Sequence, residues 1–399
     1  MESFFRTHNH LIEHLPTVIR RELMDEIDWS QRLIGIKGSR GVGKTTFLLQ
    51  YAKEVFGADN RECLYVNLNH FYFSAYSIVD FANEFQLKGG KVLLLDQLFK
   101  YPSWSEELRI CHDRFPSLQI VFTGSSVMRL KEENPYIGEI VDSYNLRGFS
   151  FREYLQIKTQ LSFPSYSLEE ILVNHTSIAE EITSQVKPLA YFQDYLHHGY
   201  YPFFLEKRNF SENLLKTMNM ILEVDILLIQ QIEQSYLTKL KRLFYILYTK
   251  TPSGPNVSQL SKEIETSRAT VTNYMKYITD GRLINQLYAS GDSFPKKPAK
   301  VYMQNPNLLY PISPMKVQQS VVCETFFYNQ VLMDNDLHSS NKADFMVTPR
   351  STPETHYHFK ILQDLKASNA HKPDTYLAVE KIEVGKEQTI PLWLFGFLY

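Results

Sequence analysis

Residues 33–56 read LIGIKGSRGVGKTTFLLQYAKEVF. The run opens on Leu33-Ile34-Gly35-Ile36, a short apolar stretch that predicts a buried strand. Gly38-Ser39-Arg40-Gly41-Val42-Gly43-Lys44-Thr45 follows and fits G-x-x-x-x-G-K-[ST] at every fixed position. From Thr45 onward, Phe47, Leu48, Tyr51, Ala52 and Val55 recur at three- and four-residue steps, the spacing of a helix. A phosphate-binding loop requires this strand–loop–helix order.

The residue types suit the chemistry. Triphosphate oxygens need many donors at short range. Glycines let the backbone curl so that successive N–H groups point inward, and the helix N-terminus adds partial positive charge. Lys44 is expected to reach the β- and γ-phosphates, and the Thr45 hydroxyl to ligate Mg²⁺. Gly38, Ser39, Arg40, Gly41, Val42, Gly43, Lys44, Thr45 and Thr46 are therefore the nucleotide-binding candidates. Within that set, Arg40 and Thr46 read as solvated or packing residues rather than ligands.

The 399-residue length predicts about two to four domains. Apolar residues make up 44% and aromatic residues 14%, enough for packed cores. The formal net charge of −2 gives no global field toward nucleic acid or an anionic membrane. Cys63, Cys111 and Cys323 lie far apart, which fits neither a disulfide framework nor a zinc site and suits a reducing cytoplasm. The first residues, MESFFRTHNHLIEHLP, lack a basic segment followed by an apolar one, so no export signal is expected. The most apolar run, IPLWLFGFLY at residues 390–399, is too short to span a bilayer.

Residues 1–31 predict an amphipathic helical lead with Ile19, Leu23 and Ile27 on one stripe, and His8, His10 and His14 on a solvated face. Cys63 to Leu68 predicts a second buried strand, followed by Asn69, His70 and Tyr72, any of which is a candidate to face the γ-phosphate. Lys91-Val92-Leu93-Leu94-Leu95-Asp96-Gln97 is the second informative stretch. It reads as a buried parallel strand with a carboxylate at its C-terminal end, the edge where ligands of open α/β sheets collect. Asp96 is the expected Mg²⁺-side carboxylate, with Lys44, Asp96 and Gln97 as the catalytic set. Gln97 stands where ATPases of this type usually carry Glu. A Gln amide orients a water but takes up no proton, which predicts tight ATP binding with slow turnover. The alternative is a Gln that works as an orienter, as in some GTPases.

Leu118 to Ser126 predicts a third parallel strand, with Thr123 and Ser125 as candidate γ-phosphate sensors or Ser125 and Ser126 as helix caps. Trp104 reads as helix packing. Ser150-Phe151-Arg152-Glu153 is a capping box that opens a helix. Arg147 and Arg152 are secondary candidates to approach the nucleotide. After a helical stretch, the loop Thr251-Pro252-Ser253-Gly254-Pro255 marks a boundary. Asn256 to Ile284 then reads as helix-turn-helix, with Asp292 to Lys300 as a wing. Arg268, Thr270, Asn273 and Lys276 are expected exposed on the recognition helix. Lys262, Arg268, Lys276 and Arg282 there face Glu263, Glu265 and Asp280, a weak electrostatic footprint for DNA. The last residues predict an α/β domain, with Glu324 on a helix and Asp344 on a strand. A restriction-type nuclease would need Glu-x-Lys on the next strand, which reads His356-Tyr357-His358-Phe359-Lys360-Ile361. The terminal IPLWLFGFLY is expected as a buried strand.

In one order, GSRGVGKTT, KVLLLDQ followed by Pro102 and Trp104, IVFTGSS, FSFREYL, YLHHGYYPFF, the helix-turn-helix and IPLWLFGFLY occur together. The chain thereby resembles, over nearly its whole length, the bacterial and archaeal AAA-type, STAND-like ATPases. Their C-terminal half is a domain of unknown function with a degenerate nuclease-like fold. The resemblance implies Asp96 for Mg²⁺, and Glu324 with Asp344 as a relic site. Gln97 and the missing Glu-x-Lys depart from the family's pattern.

The expected architecture is α/β: a P-loop NTPase parallel-sheet core at 1–155, a helical subdomain at 156–250, a winged helix at 251–310 and a degenerate restriction-nuclease-like α/β domain at 311–399. The expected function is a cytoplasmic, ATP- and Mg²⁺-dependent switch with slow or partner-assisted hydrolysis. The alternatives are a DNA-binding or DNA-processing ATPase and a non-hydrolysing, nucleotide-stabilised interaction module. ATP, an unknown protein partner, DNA through the winged helix and a second copy of the chain are the candidate partners; a membrane is not.

Overall fold

The computed structural model describes residues 1–16, 18–132, 134–206, 209–365 and 375–399. The chain divides into two compact units, residues 1–148 and 149–399.

The first unit is built on five strands: β1 Leu33–Gly38, β2 Cys63–Asn67, β3 Val92–Asp96, β4 Gln119–Ser125 and β5 Asp142–Asn145. They lie in the order β2-β3-β4-β1-β5, and every pairing is parallel. This is the parallel-sheet core of a P-loop NTPase. Strands buried on both faces carry continuous apolar runs, and Leu93, Leu94 and Leu95 of β3 are fully buried. Each buried Leu contributes roughly 1.5–3 kcal/mol. Crossover helices Lys44–Val55, Ile78–Leu87 and Trp104–Arg114 connect the first four strands. Ser77 caps the second of these by accepting from the Asp80 N–H. Trp104 packs toward Phe122 with ring centroids 6.2 Å apart, the packing role expected of it.

The N-terminal lead departs from its expected stripe. The helix spans Glu2–Glu13 and buries Phe4, Phe5, His8 and Ile12, while Ile19 and Leu23 lie outside it and only half-buried. His8 is not on a solvated face. It is fully buried, and its Nδ1 accepts the Tyr65 backbone N–H at 2.9 Å. Tyr65 lies on β2, the edge of the sheet, and an edge strand has N–H groups with no strand partner. The helix covers that edge, and His8 satisfies one of its donors. Burial pushes the His8 pKa down to about 4.

The second unit opens on helix Phe151–Thr159, whose N-terminus carries the expected capping box between Ser150 and Glu153. Helices Leu168–Gln185, Leu189–His198, Phe210–Met220, Leu237–Thr249, Val257–Glu263 and Arg268–Asp280 follow. Strands β6 Ile284–Ala289 and β7 Lys300–Met303 form an antiparallel hairpin. Helix Gln319–Val331 precedes β8 Asn335–Ser339, β9 Phe345–Pro349, β10 Tyr357–Leu362, β11 Thr375–Val379 and β12 Thr389–Pro391. The hairpin joins these strands in one sheet of order β12-β11-β10-β9-β8-β6-β7, through parallel pairing of Tyr288 with His338. The C-terminal run is buried as expected, but only Thr389–Pro391 is strand; Leu392–Phe397 turns into a 3₁₀-helix.

Candidate functional site

Because the strands of the first unit are parallel, their C-terminal ends share one edge. The register sets Gly38 beside Ser125 and Asn67 beside Asp96 along it. The β1 end leads into the glycine loop. Gly41 and Gly43 hold φ of 86° and 94°, backbone that side chains rarely adopt, and Gly43 serves as N-cap of helix Lys44–Val55. A Cβ at Gly38 would come within 2.4 Å of the Leu146 carbonyl oxygen. Lys44 Nζ donates to the carbonyls of Gly38 at 2.7 Å and Ser39 at 2.8 Å, so its charge is folded into the loop. The Ser39 hydroxyl is buried with no partner among the described residues. Val42 is buried and packs; Arg40 is half-buried and Thr46 exposed.

The loop and β3 meet at a carboxylate. The Thr45 hydroxyl donates to Asp96 Oδ2 at 2.7 Å, and the Tyr65 hydroxyl donates to the same oxygen at 2.8 Å. Asp96 Oδ1 accepts from the Thr123 hydroxyl and, at 3.0 Å, from the Gln97 backbone N–H. Asp96 itself is 1% exposed. Burial, and then the charge of Asp96, push the Tyr65 hydroxyl pKa up. Gln97 sits in left-handed backbone (φ 59°), and its Oε1 accepts from Asn69 Nδ2 at 2.6 Å.

The other sequence candidates sort by these partners. Thr123 is tied to Asp96. Ser125 is a buried strand end, and no helix follows it for Ser125 or Ser126 to cap. His70 caps its own short helix by accepting the Tyr72 N–H, and Tyr72 packs edge-on against Phe4. Arg152 is buried within the second unit, where it donates to the carbonyls of Tyr399 and Phe163. Sequence reasoning missed Tyr65, because a tyrosine inside an apolar strand reads as core.

In the second unit, Arg268 and Asn273 are exposed on helix Arg268–Asp280, whereas Thr270 is drawn into the Ser267 cap and Lys276 lies 4.8 Å over the Phe294 ring. Glu324 accepts from the Tyr302 hydroxyl at 2.7 Å, and burial pushes its pKa up. Asp344 accepts the Ile361 N–H at 2.8 Å. Both carboxylates are thus committed to protein donors. Among the described residues, no group of three or more His, Cys, Asp or Glu side chains is arranged to hold a metal.

Residues 30–155 match the family model of an AAA domain, and residues 189–318 match that of a domain of unknown function, DUF8612. Solved structures with some similarity include the Aeropyrum pernix ORC1 protein in complex with DNA. It is 11% identical, over 78% of this chain and 92% of that one, with a TM-score of 0.30. C. elegans PCH-2 is 14% identical, over 70% of this chain and 66% of that one, with a TM-score of 0.25. No curated protein matches the sequence. The AAA-domain match spans all five strands of the first unit's parallel sheet. Among the described residues, no helix is long and apolar enough to cross a membrane.

Proposed function

We propose that the chain binds ATP with Mg²⁺ at the glycine loop and works as a nucleotide-dependent switch that turns ATP over slowly. The observation that carries this reading is the 2.7 Å bond from the Thr45 hydroxyl to Asp96. It joins the loop's terminal hydroxyl to the carboxylate at the end of β3, with β4 lying between β3 and β1. This donor set is all oxygen and includes a carboxylate, which suits a small hard cation. The buried, partnerless Ser39 hydroxyl and the inward-folded Lys44 also fit a loop made to receive phosphate oxygens.

In this reading, the backbone N–H groups of Gly41 to Thr45 cradle the phosphates, and Lys44 exchanges its carbonyl partners for phosphate oxygens. Thr45 and Asp96 would hold Mg²⁺, which would supply charge neutralisation at the transferring phosphoryl group. Gln97, clamped by Asn69, orients the attacking water without accepting its proton. Hydrolysis is slow for that reason. The helical stretch 156–250, the winged helix at 251–310 and the α/β domain at 311–399 are the parts the switch would act on.

Calorimetry with Mg·ATP on the wild type and on Lys44→Ala, beside ATP turnover with and without DNA, tests the proposal. Association heat in the wild type and its loss in Lys44→Ala are expected. No heat with either protein overturns the reading. Binding with no turnover at all would leave a nucleotide-stabilised interaction module.

DNA contact is a second reading, favoured by Arg268 and Asn273 exposed on helix Arg268–Asp280 and by exposed Lys297 on the adjoining loop. Phosphate contacts make binding fall steeply with salt. Retention on DNA that does not weaken with salt, or is absent at low salt, removes it.

A further inference from the structure

Asp96 has no acceptor position left. An ionised carboxylate offers about four lone-pair sites on its two oxygens. Here Thr45, Tyr65, Thr123 and the Gln97 backbone N–H each take one. A cation at Thr45, or a water bound to it, needs a lone pair of this same carboxylate, so one protein donor must leave.

The four donors differ in freedom. The Gln97 N–H is fixed by backbone and also reaches Thr123 Oγ1 at 3.0 Å. Thr123 is buried on β4, an interior strand flanked by β3 and β1. Thr45 itself is the proposed cation ligand, and its proton still needs an acceptor in Asp96. Tyr65 alone brings its hydroxyl from an edge strand on a long side chain. Asn67 lies two residues along the same strand, on the same face and beside Asp96 in the register, and its Oδ1, which accepts the Asn69 N–H at 2.9 Å, has a second lone pair for the hydroxyl.

We propose that Tyr65 is a positioning residue that sets the divalent-cation requirement of the site, its hydroxyl occupying the Asp96 lone pair that cation binding must free. This inference rests on the nucleotide-binding reading above. When the cation site fills, the Tyr65 hydroxyl moves from Asp96 to Asn67. Until then it keeps a buried carboxylate satisfied, which an unpaired charge in that place would not be.

The test measures ATP affinity by calorimetry across a Mg²⁺ titration, with the affinity in EDTA as each protein's own reference. Tyr65→Phe keeps the ring and removes the hydroxyl. Its Mg²⁺ midpoint is expected to fall about tenfold relative to wild type, the size of one hydrogen bond to a charged group. Asn67→Ala removes the refuge for the hydroxyl and is expected to raise the midpoint; it carries the test alone should Tyr65→Phe fail to fold. A residue with a merely structural role would lower affinity in EDTA and in Mg²⁺ alike and leave the midpoint in place. ATP binding by the wild type with the same midpoint in the variants overturns the Tyr65 proposal and spares the nucleotide reading. No ATP binding by the wild type at any Mg²⁺ concentration overturns both.

Discussion

Asn69 Nδ2 donates to Gln97 Oε1 across 2.6 Å, and so fixes which face of the Gln97 amide is left for a water. The carbonyl oxygen, the only acceptor on that side chain, is engaged. Its NH₂ group remains to orient a nucleophile, and NH₂ accepts no proton.

Replacing the amide by a carboxylate keeps the Asn69 donor satisfied and adds a base. General-base catalysis contributes about 10²–10⁴-fold. Gln97→Glu is therefore expected to raise kcat for ATP by about two orders of magnitude, with little change in ATP affinity. Wild-type turnover already equal to that of Gln97→Glu would show that the amide is no handicap, and the slow-switch account would fail. Asn69→Ala should lower the residual rate, because the Gln97 side chain loses its anchor.

The glycine at the start of the loop is required for space. Gly38→Ala would set a methyl group within 2.4 Å of the Leu146 carbonyl oxygen, which belongs to backbone and cannot swing away. Overpacking of this kind costs about 1–3 kcal/mol. The expected outcome is a lowered unfolding midpoint together with weakened ATP binding. A variant with wild-type stability and affinity would mean that the β1 end relaxes at no cost.

The parts legible in sequence are those where one residue's local physics decides the outcome. Gly41 and Gly43 mark positive φ, and VLLLD marks a strand buried on both faces with a carboxylate at its end. Ser150 and Glu153 are three residues apart, and the capping box they predict is formed. The parts that stayed hidden depend on distant partners. His8 looked solvated because its acceptor role is set by Tyr65, far along the chain and on the sheet's edge. The side-chain partners of Asp96 come from three different elements, and no spacing rule connects them. IPLWLFGFLY read as strand because apolarity reports burial and not conformation, and burial was the part that held.

His8 makes stability depend on acid. Its folded pKa of about 4 lies below the ordinary 6.5, so the unfolded chain binds the extra proton first. The contribution is fully present above pH 6.5 and is lost as the pH falls toward 4. The slope in that window is about 1.4 kcal/mol per pH unit, which amounts to about 2 kcal/mol lost by pH 5. Protonation also turns the Nδ1 acceptor into a donor facing the Tyr65 N–H. Urea unfolding between pH 7 and 4.5 checks this against His8→Gln, in which that component of the slope should vanish. An unchanged slope in the variant would assign the acid sensitivity to other groups.

The helix that opens the second unit depends on a reciprocal pair: the Glu153 N–H donates to Ser150 Oγ at 3.2 Å, and the Ser150 N–H donates to Glu153 Oε2 at 3.0 Å. Both side chains are buried, so water cannot replace either bond. Ser150→Ala leaves the Glu153 N–H without its acceptor and is expected to cost about 1–2 kcal/mol, the upper part of the range for N-caps. Glu153→Gln keeps an amide oxygen able to accept from Ser150, so its cost should be the smaller of the two. Denaturant midpoints of the two variants decide the matter. A larger loss for Glu153→Gln than for Ser150→Ala would mean that the charge of Glu153, rather than the geometry of the box, holds this helix in place.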